Sequence, residues 1–145
     1  RVLEERTRVL GVEICMPGLV NPYPLMRKAT VLALTSRYEG FSLVLAEGLA
    51  LGLPIVAVDC PSGPAEVLEN GRFGRLVEAD ATGIASALKE TLFAKDEEKE
   101  RQSRMCRAGE FSLEAQLPRW IELLRAAQAA CSPDMALCHR EGRLQ

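Results

Sequence analysis

The sequence predicts an α/β fold, a Rossmann-like parallel sheet flanked by helices. Short apolar, β-branched runs alternate with segments of helical periodicity, and this alternation produces a parallel sheet covered by helices. The chain has 145 residues, of which 48% are apolar. This apolar content is enough for one sizeable core, but the chain is too short for two independent domains. We therefore expect a single domain over residues 1–130 and a flexible tail over residues 131–145.

The first part of the chain predicts two helices and two strands. Residues 1–10 have apolar side chains at helical spacing and stop at Gly11, a common residue after the last helical turn. A strand is expected at residues 12–15. The segment PLMRKA (residues 24–29) predicts a short helix, and VLALT (residues 31–35) is a continuous apolar run typical of central parallel strands.

The middle of the chain repeats this alternation. LVLAEGLALG predicts a helix, and IVAV at residues 55–58 predicts a strand that the prolines and glycine of DCPSGP interrupt. AEVLE predicts the next helix. The pair Asn70-Gly71 predicts a turn before a last short strand, GRLVE.

The rest of the chain is predicted to be helical. Asp80 is placed to cap one helix, and DEEKERQSRMCRAGE has the acidic start and basic finish that suit a helix dipole. A final helix is expected over residues 113–130, ended by Pro133. Its predicted core-facing residues are Trp120, Ile121, Leu124 and Ala127.

The number of strands is low for this fold class. At most four are predicted, whereas a doubly wound domain usually has five or six. The chain also begins with Arg1 rather than Met. We therefore expect that the first strands lie upstream and that the chain is a fragment of a longer protein.

Composition argues against several classes of function. The net charge of −2 offers no clustered basic surface for nucleic acid. The longest apolar stretch, residues 41–58, is interrupted by Glu47 and Pro54 and makes a poor membrane span. Five cysteines without a close CxxC pair indicate neither a zinc site nor a disulfide framework and suit a reducing cytosol. The single histidine, His139, lies in the polar tail, which argues against histidine-based catalysis.

The segment most informative about chemistry is SRYEGFSLVLAE, residues 36–47. It places a polar, glycine-containing loop between the carboxyl end of a buried strand and a helix, where open parallel sheets bind ligands. The unpaired N–H groups at such a helix start suit phosphate. The backbone donors in question belong to Gly40, Phe41, Ser42 and Leu43.

Two carboxylates, Glu39 and Glu47, flank this loop. They can accept hydrogen bonds from sugar hydroxyls, and a carboxylate near a reacting sugar favours positive charge on its ring. The spacing of Glu39 and Glu47 is weak evidence for a binding site, because the chain has 20 acidic residues. Both glutamates could instead be solvated surface charges. The apolar neighbours of Glu47 favour a functional role, since a carboxylate there is costly unless it is satisfied.

The segment YEGFSLVLAEGLALGLPIVAVDCPSGPAEVLENGRFGRLV resembles the signature region of family 4 glycosyltransferases, which are retaining enzymes of the GT-B fold. The similarity extends over about residues 11–127 and includes NPYPLMRKA and the helix start FSLE. Several blocks in the right order are more specific than the paired glutamates. The resemblance implies that residues 1–130 are the C-terminal, nucleotide-sugar-binding half of such an enzyme.

The resemblance also implies roles for particular residues. Glu39 matches the catalytic-site glutamate that contacts the transferred sugar, and Glu47 matches the glutamate that holds the ribose hydroxyls. The base would lie near Pro17. Residues 59–63 match a loop near the donor, and Glu66 matches a recurrent glutamate of structural or binding role. The backbone meeting the sugar and diphosphate would be that of Gly40, Phe41, Ser42, Leu43 and Val44.

One part of the family pattern is not in the chain. The resemblance places the diphosphate-binding arginine and lysine upstream of Arg1. Arg37 is the only cation close to the motif. It could contact a phosphate of the donor or be a solvated loop residue, and the sequence favours neither role. We therefore expect this chain alone to bind the donor weakly and the fragment alone to be inactive.

The function implied is transfer of a sugar from a UDP- or GDP-sugar to a glycan or lipid-linked acceptor, with retention of configuration. No cofactor and no metal are expected, as in similar proteins, and no Asp-x-Asp motif is present. The acceptor face would belong to an N-terminal domain outside the chain. A cytoplasmic location is expected, with peripheral association at the inner face of the membrane as one arrangement. The alternatives are a truncated nucleotide-binding module without catalysis, or another GT-B enzyme such as a nucleotide-sugar epimerase.

Overall fold

The computed structural model describes residues 2–130, and within them the predicted parallel sheet flanked by helices is confirmed. The chain alternates helices with three short strands. The elements are α1 (Val2–Leu10), α2 (Tyr23–Met26), β1 (Leu32–Leu34), α3 (Leu43–Ala50), β2 (Ile55–Val58), α4 (Pro64–Val67), β3 (Arg75–Val77), α5 (Ala81–Phe93), α6 (Glu98–Gly109) and α7 (Leu113–Ala130).

The sheet has the order β1-β2-β3, and both pairings are parallel. Leu32 pairs with Ile55, and Val56 pairs with Arg75. All four residues of β2 are buried, whereas Ala33 in β1 is exposed. The prediction of a central strand at residues 31–35 is therefore wrong within the described sheet, where β1 is an edge and β2 is central.

The strand predicted at residues 12–15 is absent. This segment has no regular secondary structure, and Val12 remains 57% exposed. The preceding helix ends as predicted, because Gly11 has a φ of +64° and the N–H of Val12 donates to the carbonyl of Thr7. A β-branched run forms a strand only when a neighbouring strand supplies partners, and no strand of the described sheet pairs with residues 12–15.

Helices α3 and α5 pack against the sheet, and α6 packs against α3. Helix α6 is tied to the end of α3 by Arg104, whose Nε and Nη2 donate to the carbonyl of Gly52 at 3.0 and 2.8 Å. Nη2 of Arg104 also donates to the carboxylate of Asp96 at 2.6 Å. The core cluster comprises Leu45, Leu49, Ile55, Ala57, Val67, Leu68 and Phe73.

Two predictions about the helical part are confirmed and one is wrong. Asp80 caps α5 by accepting from the N–H groups of Thr82 and Gly83, and α7 has the predicted bounds. However, no residue of α7 is buried, and Trp120 is 61% exposed. Helical periodicity identifies an apolar face without saying what covers it. The residues wrongly predicted to face the core are Trp120, Ile121, Leu124 and Ala127.

Two further features concern the ends of the chain and the membrane. Pro133 and the tail predicted over residues 131–145 lie outside the described residues. From residue 2 to residue 130, no helix combines the length and the apolar character needed to cross a bilayer.

Candidate functional site

The loops that follow β1 and β2 meet at one edge of the sheet. The first runs from the end of β1 to the start of α3, and the second covers residues 59–63. Since β1 and β2 are parallel neighbours, both loops leave the same, carboxyl edge. The hydroxyl of Ser62 donates to the carbonyl of Glu39 at 2.7 Å. The structure thus joins the two loops through residues that lie 23 positions apart in sequence.

Gly63 makes this contact possible. Its φ is +86°, and a Cβ atom added there would lie 2.7 Å from the carbonyl oxygen of Gly40 and 3.2 Å from Cβ of Glu39. Ser62 also has a left-handed φ, of +63°. Only glycine provides both the backbone conformation and the space, so residues 62 and 63 set the position of the loop containing Glu39. Gly40 itself is exposed, and no atom lies within 4 Å of a Cβ placed on it.

The N-terminus of α3 is free of a side-chain cap. Ser42 occupies the N-cap position with φ +59° and ψ +64°, and its side chain makes no capping hydrogen bond. Ser42 is only 5% exposed, and its Oγ atom has no partner in the described part of the chain. The first N–H groups of a helix need partners from outside it. The start of α3, with Leu43 64% exposed and Val44 half-buried, is therefore open to an anion.

Phe41 holds the loop to the rest of the domain. Its ring packs edge-on against Phe111, with 5.1 Å between the ring centroids. The guanidinium of Arg107 lies 4.7 Å from the centre of the Phe111 ring and donates to the carbonyl groups of Glu66 and Val67. The Phe41 side chain thus anchors the loop, and a role for its backbone in donor binding stays a prediction. Sequence reasoning assigned no role to Arg107 or Phe111, although it singled out FSLE.

The two predicted carboxylates lie on either side of the α3 start. Glu39 is half-buried in the loop, and Glu47 is half-buried one turn into α3. The hydroxyl of Tyr23, at the start of α2, donates to Oε1 of Glu47 at 2.8 Å. The pKa of Tyr23 is raised above its ordinary value of 10.0, mainly by this hydrogen bond and secondly by repulsion between the phenolate and the Glu47 carboxylate. The apolar neighbours of Glu47 predict that its carboxylate needs a polar partner, but nothing in NPYPLMRKA indicates that Tyr23 is that partner.

Arg37 and Pro17 are not drawn into this arrangement. Arg37 is exposed and makes no ion pair with the residues that the structure describes. Pro17 is exposed within residues 12–18, which have no regular secondary structure. Their predicted donor contacts stay predictions.

A cavity of about 470 Å³ opens at the other edge of the sheet. It is lined by residues at the amino ends of β2 and β3, among them Ile55 and Arg75, and by Arg104 of α6. None of the predicted site residues lines it. The candidate site is instead an open surface, in which Gly40 and Leu43 are exposed.

Comparison with known proteins identifies similar sequences. Residues 1–93 match the profile of the family described as "Glycosyl transferases group 1". The amylovoran biosynthesis glycosyltransferase AmsD of Erwinia amylovora is 31% identical over 100 residues, which are 68% of this chain and 28% of that protein.

Two further relatives are similar over shorter stretches. The N-acetylgalactosamine-N,N'-diacetylbacillosaminyl-diphospho-undecaprenol 4-alpha-N-acetylgalactosaminyltransferase of Campylobacter jejuni is 41% identical over 78 residues, which are 54% of this chain and 20% of that protein. The lipopolysaccharide 1,6-galactosyltransferase of Escherichia coli is 38% identical over 64 residues, which are 43% of this chain and 18% of that protein. The matched region is thus less than a third of the length of each relative.

Proposed function

The chain belongs to the glycosyl transferases group 1 family, and we propose that it is the donor-binding part of a retaining glycosyltransferase that uses a UDP- or GDP-sugar. The single observation that supports this most is the uncapped start of α3, lying between two glutamates at the carboxyl edge of the sheet. An anionic diphosphate suits the helix start, and carboxylates suit sugar hydroxyls.

In this proposal each group contacts one part of the donor. The diphosphate lies against the N–H groups of Leu43 and Val44 at the uncapped start of α3. Glu47 accepts hydrogen bonds from the ribose hydroxyls, and Glu39 contacts the transferred sugar and favours the positive charge that develops on its ring. The helix-terminal N–H groups, together with the arginine and lysine that the family resemblance places upstream of Arg1, stabilise the leaving nucleotide without a metal ion.

The rest of the enzyme completes the reaction. We propose that a further N-terminal domain binds a glycan or lipid-linked acceptor, because the relatives act on amylovoran, an undecaprenol-linked sugar and lipopolysaccharide by their names. Such acceptors fit a cytoplasmic enzyme working at the inner face of the membrane. In this arrangement the open surface around Gly40 faces the second domain.

The test separates the two glutamates. Glu47→Ala should weaken UDP or GDP binding about tenfold or more, because losing hydrogen bonds to a charged group costs roughly 1.5–3 kcal/mol. Glu39→Ala should leave nucleotide affinity nearly unchanged and reduce sugar transfer by the full-length enzyme by about 100-fold or more. Calorimetric titration measures the first effect and transfer of a labelled sugar the second. Equal nucleotide affinity of wild type and Glu47→Ala would contradict the proposed role of Glu47.

A nucleotide-binding module without catalysis is the second candidate, because the uncapped start of α3 would suit a phosphate whether or not sugar transfer follows. It predicts nucleotide binding by the full-length protein with no transfer of sugar to any acceptor. A GT-B epimerase would instead release an altered free sugar or nucleotide sugar. Product analysis with a labelled donor distinguishes all three.

A further inference from the structure

Tyr23 links the segment before the sheet to the candidate site. Its hydroxyl donates to Oε1 of Glu47, 24 residues further along the chain. No role for this tyrosine follows from the family match, which covers it only as one of residues 1–93.

The backbone around Tyr23 is fixed from both sides. The side-chain oxygen of Asn21 accepts from the N–H of Tyr23 at 3.1 Å, and the carbonyl of Pro22 accepts from the N–H groups of Leu25 and Met26. Met26 is buried at the other end of this four-residue helix. The tyrosine ring therefore projects from an anchored turn, and its contact with Glu47 joins two ordered elements, α2 and α3.

We propose that Tyr23 is a positioning residue for Glu47, which holds one carboxylate oxygen and leaves Oε2 presented to hydroxyl groups of the nucleotide ribose. This inference rests on the proposed function for its ligand, whereas the hydrogen bond itself does not. A glutamate on a half-exposed helix face loses rotamer freedom when it binds a ligand. A hydrogen bond already made in the free protein removes part of that entropy cost, which increases affinity through preorganisation.

The contact can be tested without any nucleotide. The chain has two tyrosines, so Tyr38→Phe leaves Tyr23 as the only one, and absorbance of the phenolate then reports its pKa. We expect a pKa above 10.0, with the neutral phenol and its hydrogen bond present below that pH and lost as pH rises through the folded value. Adding Glu47→Ala should lower the pKa toward 10.0. If the pKa of Tyr23 is the same with and without the Glu47 carboxylate, the contact is not formed, and the proposal is overturned.

Nucleotide binding tests the positioning role. In calorimetric titrations with UDP, Tyr23→Phe should weaken binding by about three- to tenfold, which is less than the effect of Glu47→Ala. In the Glu47→Ala background, Tyr23→Phe should have no further effect, since a positioning residue acts only through the group that it positions.

Three results would overturn the inference, and they can be told apart. A normal effect of Glu47→Ala with no effect of Tyr23→Phe, or an equal effect of Tyr23→Phe in both backgrounds, would overturn the positioning role while leaving the proposed function intact. Equal UDP affinity of wild type and Glu47→Ala would contradict the proposed function, and the role of Tyr23 in ligand binding with it.

Discussion

Gly63 shows how one residue determines the shape of the candidate site. The carbonyl of Gly40 approaches it so closely that a Cβ atom would lie 2.7 Å away. The neighbouring Ser62 hydroxyl adds a hydrogen bond to the carbonyl of Glu39. The position of Glu39 therefore depends on the second loop as much as on its own.

Gly63→Ala should destabilise the protein and displace this loop. The backbone conformation of Gly63, with φ +86° and ψ −77°, costs an alanine about 1–3 kcal/mol, and the steric overlap with Gly40 adds roughly 1–3 kcal/mol. Gly71→Ala is the matched control, because Gly71 has a φ of +93° but a Cβ there would meet only the Gly74 carbonyl, at 3.6 Å.

Chemical denaturation of both variants measures the difference. Gly71→Ala should lose only the conformational part of the free energy of unfolding, and it should keep wild-type nucleotide affinity. If the two variants are equally stable and bind UDP equally well, the close approach of the two loops does not determine the site.

At the scale of elements, α6 is held against α3 by one buried cation. Arg104 is buried and satisfies the Gly52 carbonyl at the end of α3, while it also pairs with Asp96. An unpaired carbonyl or carboxylate left behind is costly in a partly buried position. This contact ties the end of α3 to α6, while Leu45 and Leu49 pack α3 into the core.

Arg104→Met should lower the free energy of unfolding by roughly 1.5–3 kcal/mol. Arg75→Met is the control, because Arg75 forms an ion pair with Glu90 in which both side chains are about half exposed, and such pairs contribute at most about 1 kcal/mol. Thermal or urea unfolding compares the two. Equal losses would mean that Arg104 does not join α6 to α3.

The stability of the first turn of α7 should depend on pH. The N–H of Glu114 and the hydroxyl of Ser112 lower the pKa of Glu114 below its ordinary value of 4.5. Because the folded pKa is lowered, this stabilisation is present above pH 4.5 and is lost as pH falls through the folded value. A carboxyl NMR titration should show a midpoint below 4.5 that rises in Ser112→Ala. A midpoint that Ser112→Ala leaves unchanged would contradict the contribution of the hydroxyl.

The whole molecule shows which features a sequence can predict. Periodicity and cap residues predicted α1, α3, α5 and α7, since local patterns determine helix bounds. The strand at residues 12–15 and the buried face of α7 were predicted wrongly, because both depend on what lies beside them and not on the local pattern. Strand number and the cover of α7 are therefore properties of the surrounding structure.

The candidate site divides in the same way. The segment at residues 36–47 was predicted from its place after a strand and at the start of a helix, and the structure has it between β1 and α3 and in the first turns of α3. The contacts of Glu47 with Tyr23 and of Glu39 with Ser62 join residues more than twenty positions apart. No periodicity or spacing encodes such contacts, so only the tertiary structure reveals them.

Binding of a nucleoside diphosphate at the start of α3 underlies every proposed role, and an amide NMR titration of the ¹⁵N-labelled chain with UDP examines it residue by residue. We predict that UDP moves the amide signals of residues 40–44, and that Glu47→Ala reduces these shifts at the same concentration. Shifts confined to residues 72–75, at the opposite edge of the sheet, or shifts of residues 40–44 that Glu47→Ala leaves unchanged, would contradict the proposed binding site.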